Sequence, residues 1–299
     1  MEPLQTPLFR GFHENSLPPG QAPIVTSNVE KMHSLLDLVL LGRSLTEYAS
    51  MAILTSPGGW GKTIAAYHLA AEMNALSATG LPSVIVVKVE NDFSPIALAS
   101  NILKELGETP MENRGYQLAD RAGDAMVAND LKLLIVDEAD RLNRATFELL
   151  RQLLDKTGCP IVLVGLPRIK QVISVQEKFN SRVGARVSFE PMQAQEIVKH
   201  FLPKLVLAHW EFDPQNTEDQ AMGYALWKKV SPSLRNLRKL LVDASVSAEL
   251  RGAERITSLD IAEALSRTDA DKQAQDGNGV NPSDRTTQAS QLSHSSVLK

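Results

Sequence analysis

The chain has 299 residues, of which 43% are hydrophobic and 22% charged, and its formal net charge at pH 7 is −4. This length accommodates one large domain or two small ones, and the composition is typical of a globular protein with a sizeable core. The negative charge excludes a protein that holds nucleic acid by bulk positive charge, so any such contact has to come from a local patch.

No apolar run approaches the ~18 residues that span a bilayer, and no signal peptide is visible, so we expect no membrane partner. The only cysteine, Cys159, cannot form an internal disulfide. A lone cysteine favours a reducing, cytoplasmic location, with Cys159 itself a buried, inert thiol.

Taken in order, residues 1–25 contain five prolines and scattered glycine, which predicts an extended N-terminal segment. Thr26 to Asn28 can cap a first helix that runs to about Leu41.

The next segment, 56–63, reads Ser-Pro-Gly-Gly-Trp-Gly-Lys-Thr and lies between an apolar strand, 51–54, and a helix-favouring run. Strand, glycine-rich turn and helix start are what a triphosphate-binding loop requires, because glycine lets the backbone N–H groups face the phosphates. Lys62 can reach the β- and γ-phosphates, and the Thr63 hydroxyl can bind Mg²⁺. The predicted ATP-binding residues here are Ser56, Pro57, Gly58, Gly59, Trp60, Gly61, Lys62, Thr63 and Ile64. Ser56 stands where the usual pattern has glycine.

The following segments alternate between strands and helices. Apolar runs predict strands at 83–89, 133–136 and 160–165, and a short one at 187–189. Helical spacing of apolar residues predicts helices that start at Ser94-Pro95, at about Gln117 and at Arg144. Strands that alternate with helices predict an α/β fold with a parallel, right-handed αβα layer.

The strand at 133–136 ends in Asp137-Glu138-Ala139-Asp140, at the carboxyl end where ligands of such sheets bind. We assign Asp137 to Mg²⁺, together with Thr63, and Glu138 to polarising the attacking water. The letters also match a signature of RNA helicases, but that class needs two tandem motor domains, and the chain is too short for them.

After Pro191 the strand patterns end and helical patterns follow at about 195–207, 218–229, 233–250 and 258–266. We therefore divide the chain into an extended N-terminal segment (1–25), a nucleotide-binding αβα core (26–190), a small all-helical lid domain (191–268) and a disordered C-terminal tail (269–299).

A parallel αβα core with a helical lid resembles the AAA+ ATPases, in which nucleotide lies between the two domains and beside the next subunit. The resemblance implies that Arg182 acts across the subunit boundary as a catalytic arginine finger, with Arg186 as the alternative. It also implies that Arg235, with Arg238 as its alternative, contacts phosphate within the same chain.

The strand at 160–165 should end in a polar residue that positions the attacking water, but Leu166 occupies that place. We therefore expect slow ATP hydrolysis, as in a timer or assembly switch; that a partner stimulates it is implied only by the family resemblance described next.

The chain further resembles the AAA+ transposition regulators typified by phage Mu transposition protein B, TnsC and TniB. The similar segments are 57–66, 135–142, 163–165, 181–182, 233–237 and 255–257. The resemblance implies an ATP- and Mg²⁺-dependent homo-oligomer or filament on duplex DNA that works with a transposase and a target-selection protein.

In that family the DNA is held through its backbone, without sequence preference, by loops that line the filament. The matching loops here are 91–94 and 112–116, where Arg114 is the candidate DNA-binding residue and Asp92 is an unfavourable acid. Repetition along a filament can make one weak contact per subunit sufficient for an acidic protein.

Three alternatives stay open. One is an initiator or loader ATPase of the replication type, which usually carries an added winged-helix domain. Another is a switch in secretion or signalling that does not bind DNA. The last is a nucleotide-binding scaffold that never hydrolyses ATP, which Ser56 and Leu166 favour and the acidic pair Asp137-Glu138 opposes.

Overall fold

The computed structural model describes residues 24–46, 50–77, 80–90, 94–110, 115–174 and 180–277. These residues form one parallel sheet with the strand order β2-β3-β4-β1-β5. Its strands are β1 (Met51–Thr55), β2 (Val84–Lys88), β3 (Leu133–Asp137), β4 (Ile161–Gly165) and β5 (Val183–Ser188). The last of these begins earlier than the strand expected at 187–189.

Helices connect the strands on both faces of the sheet. They are α1 (Ser27–Thr46), α2 (Lys62–Ala75), α3 (Pro95–Glu105), α4 (Gly115–Ala128), α5 (Arg144–Thr157) and α6 (Ile169–Ser174), with a 3-10 turn at Ala139–Arg141. The first helix runs to Thr46, five residues past Leu41, where we expected it to end.

Alternating side chains of the inner strand β1 belong to two separate cores. Met51 and Ile53 belong to the apolar cluster under α3, α4 and α5, whereas Ala52 and Leu54 belong to the cluster under α1 and α2. All five residues of β1 are buried, as expected for a parallel strand covered on both faces. The predicted αβα architecture is therefore confirmed.

Side-chain caps fix the helix that follows the acidic end of β3. Asn143 Oδ1 accepts a hydrogen bond from the Thr146 backbone N–H at 2.9 Å, which satisfies an otherwise unpaired donor at the start of α5. Gly158, in the left-handed conformation with φ 60°, ends the same helix. These two caps bound helix α5, which connects β3 to β4.

No strand follows Ser188 in the part of the chain that the structure describes. The later helices are α7 (Ala194–Glu196), which continues as a π-helical turn (Ile197–Phe201) and a 3-10 turn (Leu202–Lys204), then α8 (Thr217–Val230), α9 (Leu234–Leu250) and α10 (Ser258–Gly277). They enclose a third apolar cluster whose members all follow Glu190. Helix α10 continues past Asp269, where we expected the disordered tail to begin, and residues 278–299 lie outside the described residues.

Cys159 is buried beside β4, and burial raises the pKa of its thiol to about 12. A thiol with such a pKa is inert at neutral pH, which agrees with the structural role expected for it. Separately, no helix within the described ranges is long and apolar enough to cross a membrane.

The carboxylate of Asp260 caps the start of α10. Asp260 is buried, and its Oδ2 accepts hydrogen bonds from the backbone N–H and the hydroxyl of Thr257, both at 2.7 Å, and from Arg251 Nη2 at 2.6 Å. Desolvation raises the pKa of Asp260, but the hydrogen bonds from Arg251 and Thr257 outweigh it and bring that pKa down to about 2.

We expect Asp260→Asn to lower the free energy of unfolding at neutral pH by about 1 kcal/mol, because a helix cap is weakened. The pKa of Asp260 is about 2 in the folded protein against a reference value of 3.8. The contribution of the Asp260 carboxylate to stability is therefore complete at pH values above 3.8, and it is lost as the pH falls towards about 2, the pKa in the folded protein. Urea unfolding of both proteins near pH 7 and near pH 3 measures this, and an equal difference at both pH values would contradict it.

Candidate nucleotide-binding site

The segment between β1 and α2 forms the predicted phosphate loop. Gly59 and Gly61 have φ values of 81° and 89°, a conformation that residues with a side chain rarely adopt. Helix α2 then begins at Lys62, so its free backbone N–H groups and its dipole face the loop. The turn that the sequence predicted is thus present, with its glycines where the backbone requires them.

The Lys62 ammonium lies inside the loop. Its Nζ donates to the carbonyl oxygens of Ser56 at 2.7 Å and Pro57 at 2.9 Å, and it contacts Ser56 Oγ at 3.0 Å. Burial lowers the pKa of Lys62, and the charges of Asp137, Glu138 and Asp140 oppose that shift. The serine that replaces glycine therefore has a role, because its hydroxyl helps to hold the Lys62 ammonium inside the loop.

Thr63 and Asp137 meet at the predicted metal site. Thr63 Oγ1 donates to Asp137 Oδ2 at 2.7 Å, and the Glu138 backbone N–H donates to Asp137 Oδ1 at 2.9 Å. Desolvation raises the pKa of the buried Asp137 carboxyl, while these two hydrogen bonds oppose the shift. A hydroxyl and one carboxylate beside a phosphate loop suit Mg²⁺, which keeps several waters and takes few protein ligands. Correspondingly, no cluster of three or more His, Cys, Asp or Glu residues that could cage a metal occurs among the described residues.

Glu138 follows directly and has a left-handed backbone, with φ 56° and ψ 30°. Non-glycine residues adopt this conformation at an energetic cost and often at functional sites. Its side chain is about 30% exposed, and Oε2 lies 3.5 Å from Nε of Arg141. The carboxylate is thus beside Asp137 and accessible to water, as a residue that polarises the attacking water must be.

The end of β4 lacks a polar side chain, as the sequence indicated, but its backbone makes a contact that the sequence did not reveal. Leu166 offers no polar side chain, but its backbone N–H donates to Asp140 Oδ1 at 2.9 Å. The other carboxylate oxygen of Asp140 accepts from Arg168 Nε at 2.7 Å. Sequence reasoning had assigned no role to Asp140 or Arg168, although a third acid two residues after Asp137-Glu138 was a signal to examine.

The start of lid helix α9 lies directly against the phosphate loop. The Arg235 backbone N–H donates to the Gly59 carbonyl oxygen at 3.2 Å. A Cβ atom at Gly59 would lie 2.7 Å from Ser233 Oγ and 3.1 Å from Arg235 Cβ. The positive charge of Arg235 is near enough to lower the pKa of Lys62. Of the predicted lid arginines, the structure therefore brings Arg235 to the loop, and Arg238 lies one turn further along the helix.

Arg182 lies at the amino ends of the strands, whereas the phosphate loop of its own chain lies at their carboxyl ends. Its carbonyl oxygen accepts from the backbone N–H of Met51, the first residue of β1, whereas the loop follows the last residue of that strand. The five residues of β1 separate these two ends of the sheet by roughly 15 Å. The guanidinium binds Asp155 through Nε at 2.9 Å and Nη2 at 3.0 Å.

Arg186, the alternative finger, is exposed on the edge strand β5, where Nη2 donates to Asn180 Oδ1 at 2.5 Å. Of the two, it is Arg182 that lies at the end of the sheet away from the phosphate loop of its own chain. Arg114, the candidate DNA contact, lies outside the described residues, as do positions 91–93 of the other predicted loop.

Residues 45–173 match a protein family described as AAA domain. The matched range contains the phosphate loop, the acidic end of β3 and the end of β4. AAA domains belong to nucleotide-hydrolysing ATPases, so the match supports nucleotide binding at this site. Among curated proteins, none matches the sequence significantly.

Solved structures share the fold at low sequence identity. The ORC1 protein of Aeropyrum pernix in complex with DNA has a TM-score of 0.60 and 19% identity over 88% of this chain and 71% of that one. The ORC2 protein of the same organism, in ADPNP–ADP complexes, has a TM-score of 0.67 and 15% identity over 84% and 70%. Drosophila ORC bound to DNA has a TM-score of 0.60 and 16% identity over 89% and 66%. At these identities the likeness concerns the AAA+ fold.

Proposed function

We propose that the protein is an ATP- and Mg²⁺-dependent AAA+ switch that assembles as an oligomer or filament on duplex DNA and leaves it after ATP hydrolysis. The observation that carries the proposal is the convergence of Lys62, Thr63 and Asp137 at the end of the glycine loop, with Glu138 beside them. These groups are the ones needed to bind a triphosphate and to activate water against it.

Each residue has a distinct part in this mechanism. The loop N–H groups and Lys62 bind the phosphates, so Lys62 must exchange its hydrogen bonds to the loop carbonyls for phosphate oxygens. Thr63 and Asp137 would hold Mg²⁺, which would supply positive charge against the phosphates. Glu138 orients and polarises the attacking water, and Arg235 contacts phosphate from the lid.

Hydrolysis is completed by a neighbouring subunit. Because Arg182 lies at the amino ends of the strands, away from the phosphate loop of its own chain, the nucleotide that it contacts is that of another chain. Its bidentate contact with Asp155 holds it at the surface, with a third of the side chain exposed. Such an arrangement links ATP hydrolysis to assembly, since a monomer lacks the arginine that stabilises the transition state.

The proposed partner is duplex DNA, and the proposed process is transposition, in which the assembly marks target DNA for a transposase and a target-selection protein in the cytoplasm. The DNA part is supported by structures of similar fold that were solved with DNA, ORC1 and Drosophila ORC. The transposition part rests on the sequence resemblance, above all on the short lid and on the order and spacing of the motifs.

A second candidate is an initiator or loader ATPase of the replication type. The fold similarity to ORC1 over 88% of this chain favours it. The two candidates differ in what they recruit. Stimulation of ATP hydrolysis by a transposase supports the first, and stimulation by a helicase or another replication factor supports the second.

Electron microscopy with duplex DNA tests the proposal. We expect filaments or closed oligomers on DNA with a non-hydrolysable ATP analogue and none with ADP.

Arg114→Ala should reduce DNA binding about tenfold at moderate salt while nucleotide affinity is unchanged, because one phosphate contact per subunit is lost. Arg144→Ala, an exposed arginine at the start of α5, is the matched control. Equal DNA binding with and without nucleotide would refute the switch.

A further inference from the structure

Asp140 is a buried carboxylate at the carboxyl edge of the sheet. None of its side chain is exposed, whereas 57% of the side chain of its partner Arg168 is exposed. Its two oxygens are both used: Oδ1 accepts from the Leu166 N–H, and Oδ2 accepts from Arg168 Nε at 2.7 Å and lies 2.6 Å from Nη2. A buried charge held in this way fixes the conformation of the segment that carries its partners.

Asp140 and the end of β4 border the candidate site. Strand β4 is located between β3, which ends in Asp137, and β1, which leads into the phosphate loop. The Ser56 backbone N–H donates to the Gly165 carbonyl oxygen at 3.2 Å, so the end of β4 contacts the loop directly. Moreover, the charge of Asp140 acts on the Lys62 ammonium.

The sequence at the end of β4 is adapted to this contact. A Cβ atom at Gly165 would lie 2.7 Å from Asp140 Oδ1 and 3.1 Å from its backbone nitrogen. Glycine is therefore required there so that Asp140 can approach the strand. Leu166, which follows, contributes its backbone N–H to the same carboxylate.

An unpaired carboxylate at this place would repel a triphosphate, so a cation has to accompany it. We propose that Arg168, fixed by Asp140, is the residue that β4 supplies to the γ-phosphate, in place of the polar side chain that Leu166 lacks. Asp140 is then a positioning residue, and Arg168 contacts the phosphate. The inference rests on the proposed nucleotide site but not on DNA binding or transposition.

Calorimetric titration of the full chain with ATPγS and with ADP, both with Mg²⁺, tests the inference. A residue that contacts the γ-phosphate affects only the first nucleotide. We therefore expect Arg168→Ala to weaken ATPγS binding about tenfold and to leave ADP binding unchanged, as for the loss of one charged hydrogen bond. Lys170→Ala, which removes an exposed cation two residues further along, is the control and should bind both nucleotides as the wild type does.

The double variant Asp140→Asn/Arg168→Ala separates phosphate contact from folding, because it leaves no buried charge unpaired. We expect it to lack the preference for ATPγS as well. Recovery of the wild-type preference in the double variant would overturn the inference, since Arg168 would then serve only to neutralise Asp140. Equal weakening of both nucleotides by Arg168→Ala would also overturn it. A wild-type protein that binds neither nucleotide would instead refute the proposed function itself.

Discussion

Replacement of Lys62 by alanine is expected to abolish ATP binding and, with it, assembly on DNA. The ammonium is the main positive charge inside the loop, and charged hydrogen bonds of this kind contribute about 3 kcal/mol, which corresponds to at least about a hundredfold in affinity. The loop itself should stay folded, because Gly59 and Gly61 determine its conformation. Calorimetric titration with ATP and Mg²⁺ measures the loss.

The matched control is Lys132→Ala. Lys132 precedes β3 at the opposite edge of the sheet and is paired with Asp130. The Lys132→Ala variant should bind ATP and assemble as the wild type does. If Lys62→Ala retained ATP affinity within a few fold, the assignment of the phosphate loop would be wrong.

Replacement of Glu138 by glutamine should have the opposite effect on assembly. Glutamine cannot act as a base, and loss of a general base lowers the rate by about 10²- to 10⁴-fold. Because Asp137, Thr63 and Lys62 remain, ATP should still bind, and the DNA-bound assembly should persist after the wild type has dissociated. Phosphate release measured together with light scattering follows both events in one sample.

Glu72→Gln, on the exposed side of α2, provides the control and should hydrolyse ATP at the wild-type rate. Two results would contradict the role of Glu138. One is hydrolysis at the control rate, and the other is a slow variant whose assembly dissociates as fast as the wild-type one.

The nucleotide-binding core was predictable because its physical requirements are local. A glycine loop between an apolar strand and a helix leaves little freedom, and the structure has β1, the loop and α2 where the sequence indicated them. The acidic end of β3 was equally clear, since a fully buried parallel strand brings the two acids that end it to the edge of the sheet where ligands bind. The αβα fold followed from the alternation of such strands with helices.

The residues that sequence reasoning missed act through contacts between distant segments. Nothing local relates Asp140 to Arg168, and the sequence showed only the absence of a polar side chain at Leu166. Similarly, the contact of Ser233 with Gly59 depends on how the lid meets the loop. The end of α10 was placed too early because residues 269–277 have a polar composition, and polarity alone does not exclude a helix that extends from a packed one.

Arg182 lies at the end of the sheet opposite its own phosphate loop. This has a consequence for any assembly in which Arg182 contacts the nucleotide of a neighbouring subunit. The surface that carries Arg182 and the surface that carries the nucleotide are then different parts of the molecule. Subunits therefore add head to tail, and the two ends of the stack are unlike. One terminal subunit presents an unused arginine, and the other holds a nucleotide that no arginine completes. Subunits should therefore join and leave the two ends at different rates, which gives the assembly a direction along the double helix.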